Sequence, residues 1–277
     1  MNLFSPEEIK NLLSKYKTRP LKGLGQNFLI DKNVLEKIIE AADIKPTDNI
    51  LEVGPGIGTL TQELAKNAEQ VIAIEKDETM VKILKETLKD FNNIEVINID
   101  ILKTENLFDK KYKVIANIPY YLTSPLIRKF LEDKNPPVEM VLMLQKEVAE
   151  RICSKPPNMS LLAVSVQFYA DVKIVSVVSK NCFWPAPKID SAIIKIIPHE
   201  KHNVDADLFF KIVKAGFIQP RKQLVNNLTS LNSLNSVKLT KDKISEWLLK
   251  NNLKPNQRAE TLSVEDWINL TKSFNEL

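Results

Sequence analysis

The chain has 277 residues, a net charge of +4, 44% hydrophobic and 27% charged residues, a composition that can bury a core. Its apolar runs stay short of the about 18 residues that a membrane-spanning helix needs, and residues 1–10 carry acids instead of the apolar block of a signal peptide. Two cysteines make neither a disulfide framework nor a zinc cluster, so we expect a reduced, cytoplasmic protein with no membrane contact and no metal site.

Helix and strand patterns alternate between residues 34 and 144. Strands are predicted where short apolar runs occur, at residues 49–53, 71–74, 94–99, 113–116 and 138–144. Helices are predicted where apolar residues recur at helical spacing, at residues 34–42, 60–67 and 79–88. This alternation indicates a parallel sheet with helices on both faces, which is a doubly wound, Rossmann-like α/β fold.

The pattern becomes helical after residue 205. Amphipathic helices are predicted at residues 208–216, 244–249 and 264–270, and strand signals fade. We therefore place a boundary close to Pro198 and His199 and predict two domains. Residues 1–200 form the α/β domain, and residues 201–277 form a smaller helical domain.

Polar or glycine-rich positions follow each of the first four predicted strands. These positions are Gly54, Glu75, Asp100 and Asn117. Because ligands bind outside the carboxyl ends of parallel strands, we expect the four to share one binding site.

Three of the six glycines lie between the first strand of the sheet and the helix that follows it, in Glu52-Val-Gly54-Pro-Gly56-Ile-Gly58. Glycines there allow a tight turn and a close approach of the backbone to a ligand. The spacing differs from the Gly-x-Gly-x-x-Gly of dinucleotide binders, although a lone glycine motif also fits that class. Glu52 can attract a cationic group, and Glu75 can bind both ribose hydroxyls of an adenosine. Together these features favour S-adenosylmethionine as the ligand.

Two polar positions farther along the sheet suit the same ligand and a substrate amine. Asp100 can accept from the adenine amino group of the ligand, or can cap a helix as an ordinary turn residue. In Asn117-Ile-Pro119-Tyr120, the Asn oxygen and a neighbouring carbonyl can accept both N–H bonds of an exocyclic amine as positive charge develops there. Pro119 stiffens the loop, and Tyr120 can stack on a base. The alternative is a strand-ending turn with a core tyrosine.

These motifs, taken in order, resemble the ribosomal RNA adenine N6,N6-dimethyltransferases. The resemblance runs from about residue 19 to residue 228 and departs from the family pattern at Ala186 and Pro220. The segments that carry it are Gly25-Gln-Asn-Phe-Leu29, Glu52-Val-Gly-Pro-Gly56, Glu75, Asp100, Asn117-Ile-Pro-Tyr120, Leu144-Gln-Lys-Glu-Val148 and Phe183-Trp-Pro-Ala-Pro-Lys-Ile-Asp-Ser191.

The residue chemistry and the resemblance together assign candidate roles to individual residues, and the resemblance implies a methyltransferase sheet. The cofactor-binding candidates are Asn27, Leu29, Glu52, Gly54, Gly56, Glu75, Asp100 and Asn117. The catalytic candidates are Asn117, Pro119, Tyr120 and Phe183. Phe183 matches a second aromatic that packs on an extruded adenine, so Tyr120 and Phe183 could sandwich the base.

Basic residues near both ends suit a polyanionic partner. Residues 201–277 hold 12 Lys/Arg and 8 Asp/Glu, whereas the rest of the chain is balanced. Solvated lysines on ordinary helix faces are the alternative explanation. The RNA-binding candidates are Lys15, Lys17, Arg19, Lys22, Arg221 and Lys222.

The resemblance implies a specific reaction: transfer of methyl groups from S-adenosylmethionine to N6 of two adjacent adenosines near the 3′ end of small-subunit rRNA. The partner would be an immature small ribosomal subunit, and the enzyme a monomer. Two alternatives stay open at this point. One is a large-subunit rRNA adenine methyltransferase that confers macrolide resistance, and the other is a non-catalytic RNA-binding assembly or transcription factor. A nicotinamide-dependent dehydrogenase is disfavoured by the glycine spacing.

Overall fold

A computed structural model describes residues 1–21, 23, 25–104, 110–200, 202–233 and 239–274 of the chain. It divides into two compact units, and the first unit comprises residues 1–149 and 171–198. The second unit comprises residues 150–170 and 199–277. The predicted boundary near Pro198 coincides with one of these divisions. Residues 150–170 lie in the second unit, whereas the sequence patterns placed them in the first domain.

The first unit contains the predicted alternation of strands and helices, with further elements at both ends. Its elements in chain order are α1 Pro6–Lys15, β1 Phe28–Leu29, α2 Lys32–Ala42, β2 Asn49–Val53, α3 Thr59–Asn67, β3 Gln70–Glu75, α4 Glu78–Thr87, β4 Ile94–Asn98, β5 Lys113–Asn117, α5 Thr123–Glu132, β6 Glu139–Gln145, α6 Lys146–Ile152 (which crosses the unit boundary), β7 Ala170–Val178, β8 Phe183–Trp184 and β9 Ser191–Pro198.

The main sheet has seven strands in the order β4-β3-β2-β5-β6-β9-β7. The strands from β4 to β6 are parallel, and β9 runs antiparallel to β6. Chain order reverses between β2 and β5, which is where a doubly wound sheet opens a crevice at its carboxyl edge. All five predicted strands are present, and β7 and β9 are additional strands that the sequence patterns did not predict.

Helix starts are fixed by side chains that accept the first free backbone N–H groups. Asp31 begins α2 by accepting from Val34 N, and Asp77 begins α4 by accepting from Thr79 N. The apolar faces of these helices then pack on the sheet, where the main cluster includes Leu35, Ile38 and Ile115. The short strands β1 and β8 form a separate antiparallel pair.

The second unit is helical. Its helices are α7 Leu161–Gln167, α8 Ala206–Phe217, α9 Leu224–Leu228, α10 Lys241–Lys250 and α11 Val264–Ser273. Ala163 and Val164 of α7, and Phe168 just after it, pack in the same apolar cluster as Trp267. Phe168 stacks on Phe209 with ring centroids 3.9 Å apart. Burial of Phe168 against this cluster is the physical reason that residues 150–170 belong to the second unit.

In the part of the chain that the structure describes, no helix is both long and apolar enough to cross a membrane.

Candidate active site

A cavity of about 270 Å³ opens at the carboxyl ends of β2, β3 and β5. The eleven residues predicted for cofactor and target binding all line it: Asn27, Leu29, Glu52, Gly54, Gly56, Glu75, Asp100, Asn117, Pro119, Tyr120 and Phe183. They come from segments far apart in the chain, and the convergence of parallel strand ends brings them together.

The glycine turn after β2 is shaped by backbone conformations that other residues rarely adopt. Gly54 and Gly56 have φ angles of 69° and 60°. A Cβ on Gly56 would lie 3.3 Å from the ring of Phe28, closer than most such contacts. Gly54 N donates to Ile74 O at 2.9 Å, which joins the turn to β3. The turn therefore presents its backbone to the cavity at close range.

Glu75 ends β3 and is held by two backbone groups. Its carboxylate accepts from Gly56 N at 3.2 Å and from Asp77 N at 2.9 Å. Burial raises the pKa of Glu75, and the two N–H donors oppose that rise. Because Gly56 belongs to the glycine turn, this acid links the turn to the end of the neighbouring strand.

Glu52 is the most deeply buried acid of the cavity, with 1% of its surface exposed. Burial raises its pKa to about 8. Among the described residues, its Oε2 atom has no hydrogen-bond partner. With its pKa raised to about 8, Glu52 is mainly protonated at neutral pH until a cationic group lies beside it.

Asp100 is engaged on both carboxylate oxygens. One oxygen accepts from Lys76 Nζ at 2.9 Å, and the other accepts from Leu102 N at 3.1 Å at the start of a short 3₁₀ turn. The hydrogen bond from Lys76 lowers the pKa of Asp100, which keeps it ionised. Asp100 thus has the turn-capping role that the sequence left open. An adenine amino group that donates to Asp100 would share the carboxylate with Lys76. Lys76 was not predicted, although it directly follows the strand-ending acid.

Asn117 ends β5 and faces the N-terminal segment. Its Nδ2 donates to Asn27 O at 3.4 Å, and Asn27 Nδ2 donates to Gly25 O at 3.0 Å. Ile118 N donates to Met143 O at 3.0 Å, so the loop stays attached to β6. The bond from Nδ2 to Asn27 O fixes the orientation of the Asn117 amide. The side-chain oxygen is the acceptor of that amide, and it can accept from a substrate amine.

The two predicted base-stacking aromatics differ in exposure. Tyr120 is half-buried, and its hydroxyl lies 3.0 Å from Ser191 Oγ. Phe183 is 4% exposed and belongs to the hydrophobic core, and its strand pairs with β1 so that Leu29 faces it. Phe183 therefore combines a cavity wall with a core position.

Five of the six predicted RNA-binding residues are described by the structure, and they lie outside the cavity. In the first unit Lys17 and Arg19 are exposed, whereas Lys15 forms a salt bridge of 2.7 Å with Glu86. In the second unit the exposed pair Arg221 and Lys222 follows α8. Lys22 is outside the described residues.

The family follows from comparison with known proteins. A family model described as ribosomal RNA adenine dimethylase matches residues 19–276. The chain belongs to this family. It is an enzyme, a methyltransferase that uses S-adenosylmethionine, as the sequence motifs predicted.

Relatives of this dimethylase are similar over nearly their full length. A protein named ribosomal RNA small subunit methyltransferase A from Alkaliphilus metalliredigens is 44% identical over 282 residues, covering 98% of this chain and 97% of the relative. The protein of the same name from Clostridioides difficile is 44% identical over 285 residues, covering 99% and 97%.

Solved structures confirm the predicted Rossmann-like methyltransferase fold. The crystal structure of a dimethyladenosine transferase from Plasmodium falciparum has a TM-score of 0.78 and 32% identity, covering 90% of this chain and 97% of that one. The 23S rRNA methyltransferase ErmE has a TM-score of 0.73 and 26% identity, covering 90% and 100%.

The cavity of this dimethylase fits the chemistry of its cofactor. Glu52 offers a buried oxygen without a partner among the described residues, which suits a cationic ligand. Glu75 is fixed by two backbone donors beside the glycine turn, where ribose hydroxyls can be bound. Bound S-adenosylmethionine supplies a methyl group on a positively charged sulfur.

Proposed function

We propose that this chain transfers methyl groups from S-adenosylmethionine to N6 of two adjacent adenosines near the 3′ end of small-subunit rRNA. One observation carries the proposal: the Asn117–Tyr120 loop lines a cofactor cavity in a chain 44% identical, over 98% of its length, to a protein named small subunit methyltransferase A. The product is N6,N6-dimethyladenosine, made during ribosome assembly.

The loop after β5 activates the target amine by accepting its two N–H bonds. Asn117 Oδ1 takes one bond. Pro119 O already accepts from Leu122 N at 2.9 Å, so we assign the second bond to the carbonyl of Ile118. These acceptors favour the positive charge that develops on N6 as its bond to carbon forms. Methylated N6 is acidic and releases its proton to water, so no side chain is needed as a strong base.

Six further residues contact the RNA substrate. Tyr120 and Phe183 contact the extruded adenine, while Lys17 and Arg19 bind phosphates outside the cavity. Arg221 and Lys222 make the second unit a further RNA contact. The enzyme acts in the cytoplasm as a monomer on an immature small ribosomal subunit.

The two rival functions predict different products. Because the fold also resembles that of the 23S enzyme ErmE, the experiment includes large subunits as a substrate. The chain is only 26% identical to ErmE, against 44% for the small-subunit relatives. A non-catalytic assembly factor would bind RNA but would not need the Asn117 acceptor.

The experiment compares wild type, Asn117→Ala and a control, Asn67→Ala, which removes an exposed amide at the end of α3. Labelled S-adenosylmethionine is supplied with unmethylated small or large subunits, and modified nucleotides are mapped by primer extension. We expect wild type and control to methylate small subunits. Asn117→Ala should still bind the cofactor, as measured by calorimetry, and should lose on the order of 10²–10³-fold in kcat.

Incorporation into large subunits alone would establish the rival substrate. Binding of small subunits by the wild type without any incorporation would establish the assembly factor. Full activity of Asn117→Ala would refute the assigned mechanism.

A further inference from the structure

The hydroxyls of Tyr120 and Ser191 join two sequence motifs. Their oxygens lie 3.0 Å apart, and the two residues are 71 positions apart in the chain. Ser191 is 1% exposed, so this contact is made inside the protein. Among the residues that the structure describes, Tyr120 is the only hydrogen-bond partner of the Ser191 hydroxyl.

The backbone at Ser191 is held on both sides. Ser191 is the first residue of β9 and faces Gln145 in the antiparallel pairing with β6. The preceding residue, Asp190, accepts from Lys146 N and from Lys180 N, both at 3.0 Å. A serine whose backbone is anchored in this way, and whose side chain is 1% exposed, presents its hydroxyl from a fixed and enclosed place.

Tyr120 sits in a less constrained place. It opens a short 3₁₀ turn after Pro119, and its carbonyl accepts from the hydroxyl of Thr123 at 3.2 Å. That bond restrains the backbone and does not itself restrain the two side-chain torsions of the ring. Burial raises the pKa of Tyr120, so its phenol stays protonated and can take part in the bond to Ser191.

We infer that Ser191 is a positioning residue, whose hydroxyl holds the ring of Tyr120 in the orientation on which the target adenine stacks. The inference rests on the proposed function, in which Tyr120 contacts that base. A base gains affinity by stacking on an aromatic ring, and a ring that is already held in place loses less of this gain to conformational ordering. The effect should therefore fall on the RNA and not on the cofactor.

The test is a double-mutant cycle with Ser191→Ala, Tyr120→Phe and the combined variant. Methyl transfer is measured against RNA concentration, and cofactor affinity is measured by calorimetry. Tyr112→Phe is the matched control, because it removes a tyrosine hydroxyl whose ring is buried elsewhere and which donates to Asn135 O. If Ser191→Ala does not fold, Ser191→Cys takes its place in the cycle, because a thiol keeps a side chain of similar volume and forms only weak hydrogen bonds.

We expect each single variant to lower kcat/KM for RNA by about three- to tenfold, the range of one buried hydrogen bond. The combined variant should lose no more than either single variant, with cofactor affinity unchanged throughout. Additive losses, an unaffected Ser191 variant, or an equal loss of cofactor affinity would each overturn the inference. Because wild-type methylation is measured in the same series, failure of the proposed function would be seen separately.

Discussion

Glu52 provides a direct test of how burial sets the charge of the site. Glu52→Gln replaces a titrating side chain by a neutral one of nearly the same shape. The pKa of Glu52 is raised from 4.5 to about 8 by burial. Below pH 4.5 the acid is protonated in both folded and unfolded chains. As the pH rises towards 8 the unfolded chain ionises first, so the stability contributed by the protonated acid is lost over that window.

The size of the effect follows from the same pKa. Each tenfold change in proton affinity is worth about 1.4 kcal/mol. The change from 4.5 to about 8 therefore lowers the free energy of unfolding by on the order of 5 kcal/mol across the window. Glu52→Gln lacks this loss. Glu75 is present in both proteins, and its charge is one of the causes that raise the pKa of Glu52, so this coupling is part of the measured difference.

The assay is urea unfolding of the ligand-free protein at several pH values between about 5 and about 8, followed by circular dichroism. The measured quantity is the difference in unfolding free energy between wild type and Glu52→Gln at each pH. Glu36→Gln, which changes an exposed acid on α2, should follow the wild type. A difference that stays constant with pH would show that Glu52 is ionised in the folded protein and would refute the reasoning.

Two further predictions concern the surface and the second unit. Lys17→Ala should lower the slope of log affinity for RNA against log salt concentration by about one. Lys15→Ala should change this slope less, because Glu86 already pairs with the Lys15 ammonium. Salt titrations of RNA affinity check both expectations. Gly216→Ala should destabilise the protein by about 1–3 kcal/mol despite the better helix propensity of alanine, because its Cβ would lie 2.3 Å from the Trp267 ring. An unchanged or raised melting temperature would contradict that clash.

The strands and the strand-end residues could be predicted from the sequence because their signals are local. An apolar run followed by a glycine or an acid indicates a buried strand with a functional end, as at Val53 and Gly54. Parallel pairing then brings those ends to one edge, whatever the exact length of each strand. The cavity lining therefore matched the prediction even where strand bounds differed by a residue.

Charge states and ion pairs could not be predicted in the same way. Spacing placed Asp100 at the cavity, but its bond to Lys76 depends on side-chain directions that periodicity does not specify. The same holds for Lys15, whose partner Glu86 is 71 residues away. The raised pKa of Glu52 reflects how completely neighbouring segments cover it, which is a property of the packed fold.

The segment from Phe183 to Ser191 shows why a motif can be recognised while its structural role stays hidden. In sequence it is one continuous unit, yet its two ends join different sheets: Phe183 pairs with β1, and Ser191 pairs with β6. Neither pairing has a local signal, because each partner lies more than 40 residues away along the chain. These two non-local pairings place Phe183 in the wall of the cavity and Ser191 against Tyr120, which lines the same cavity. The chemistry of the site is thus encoded locally, and the enclosure that makes it selective depends on long-range pairing.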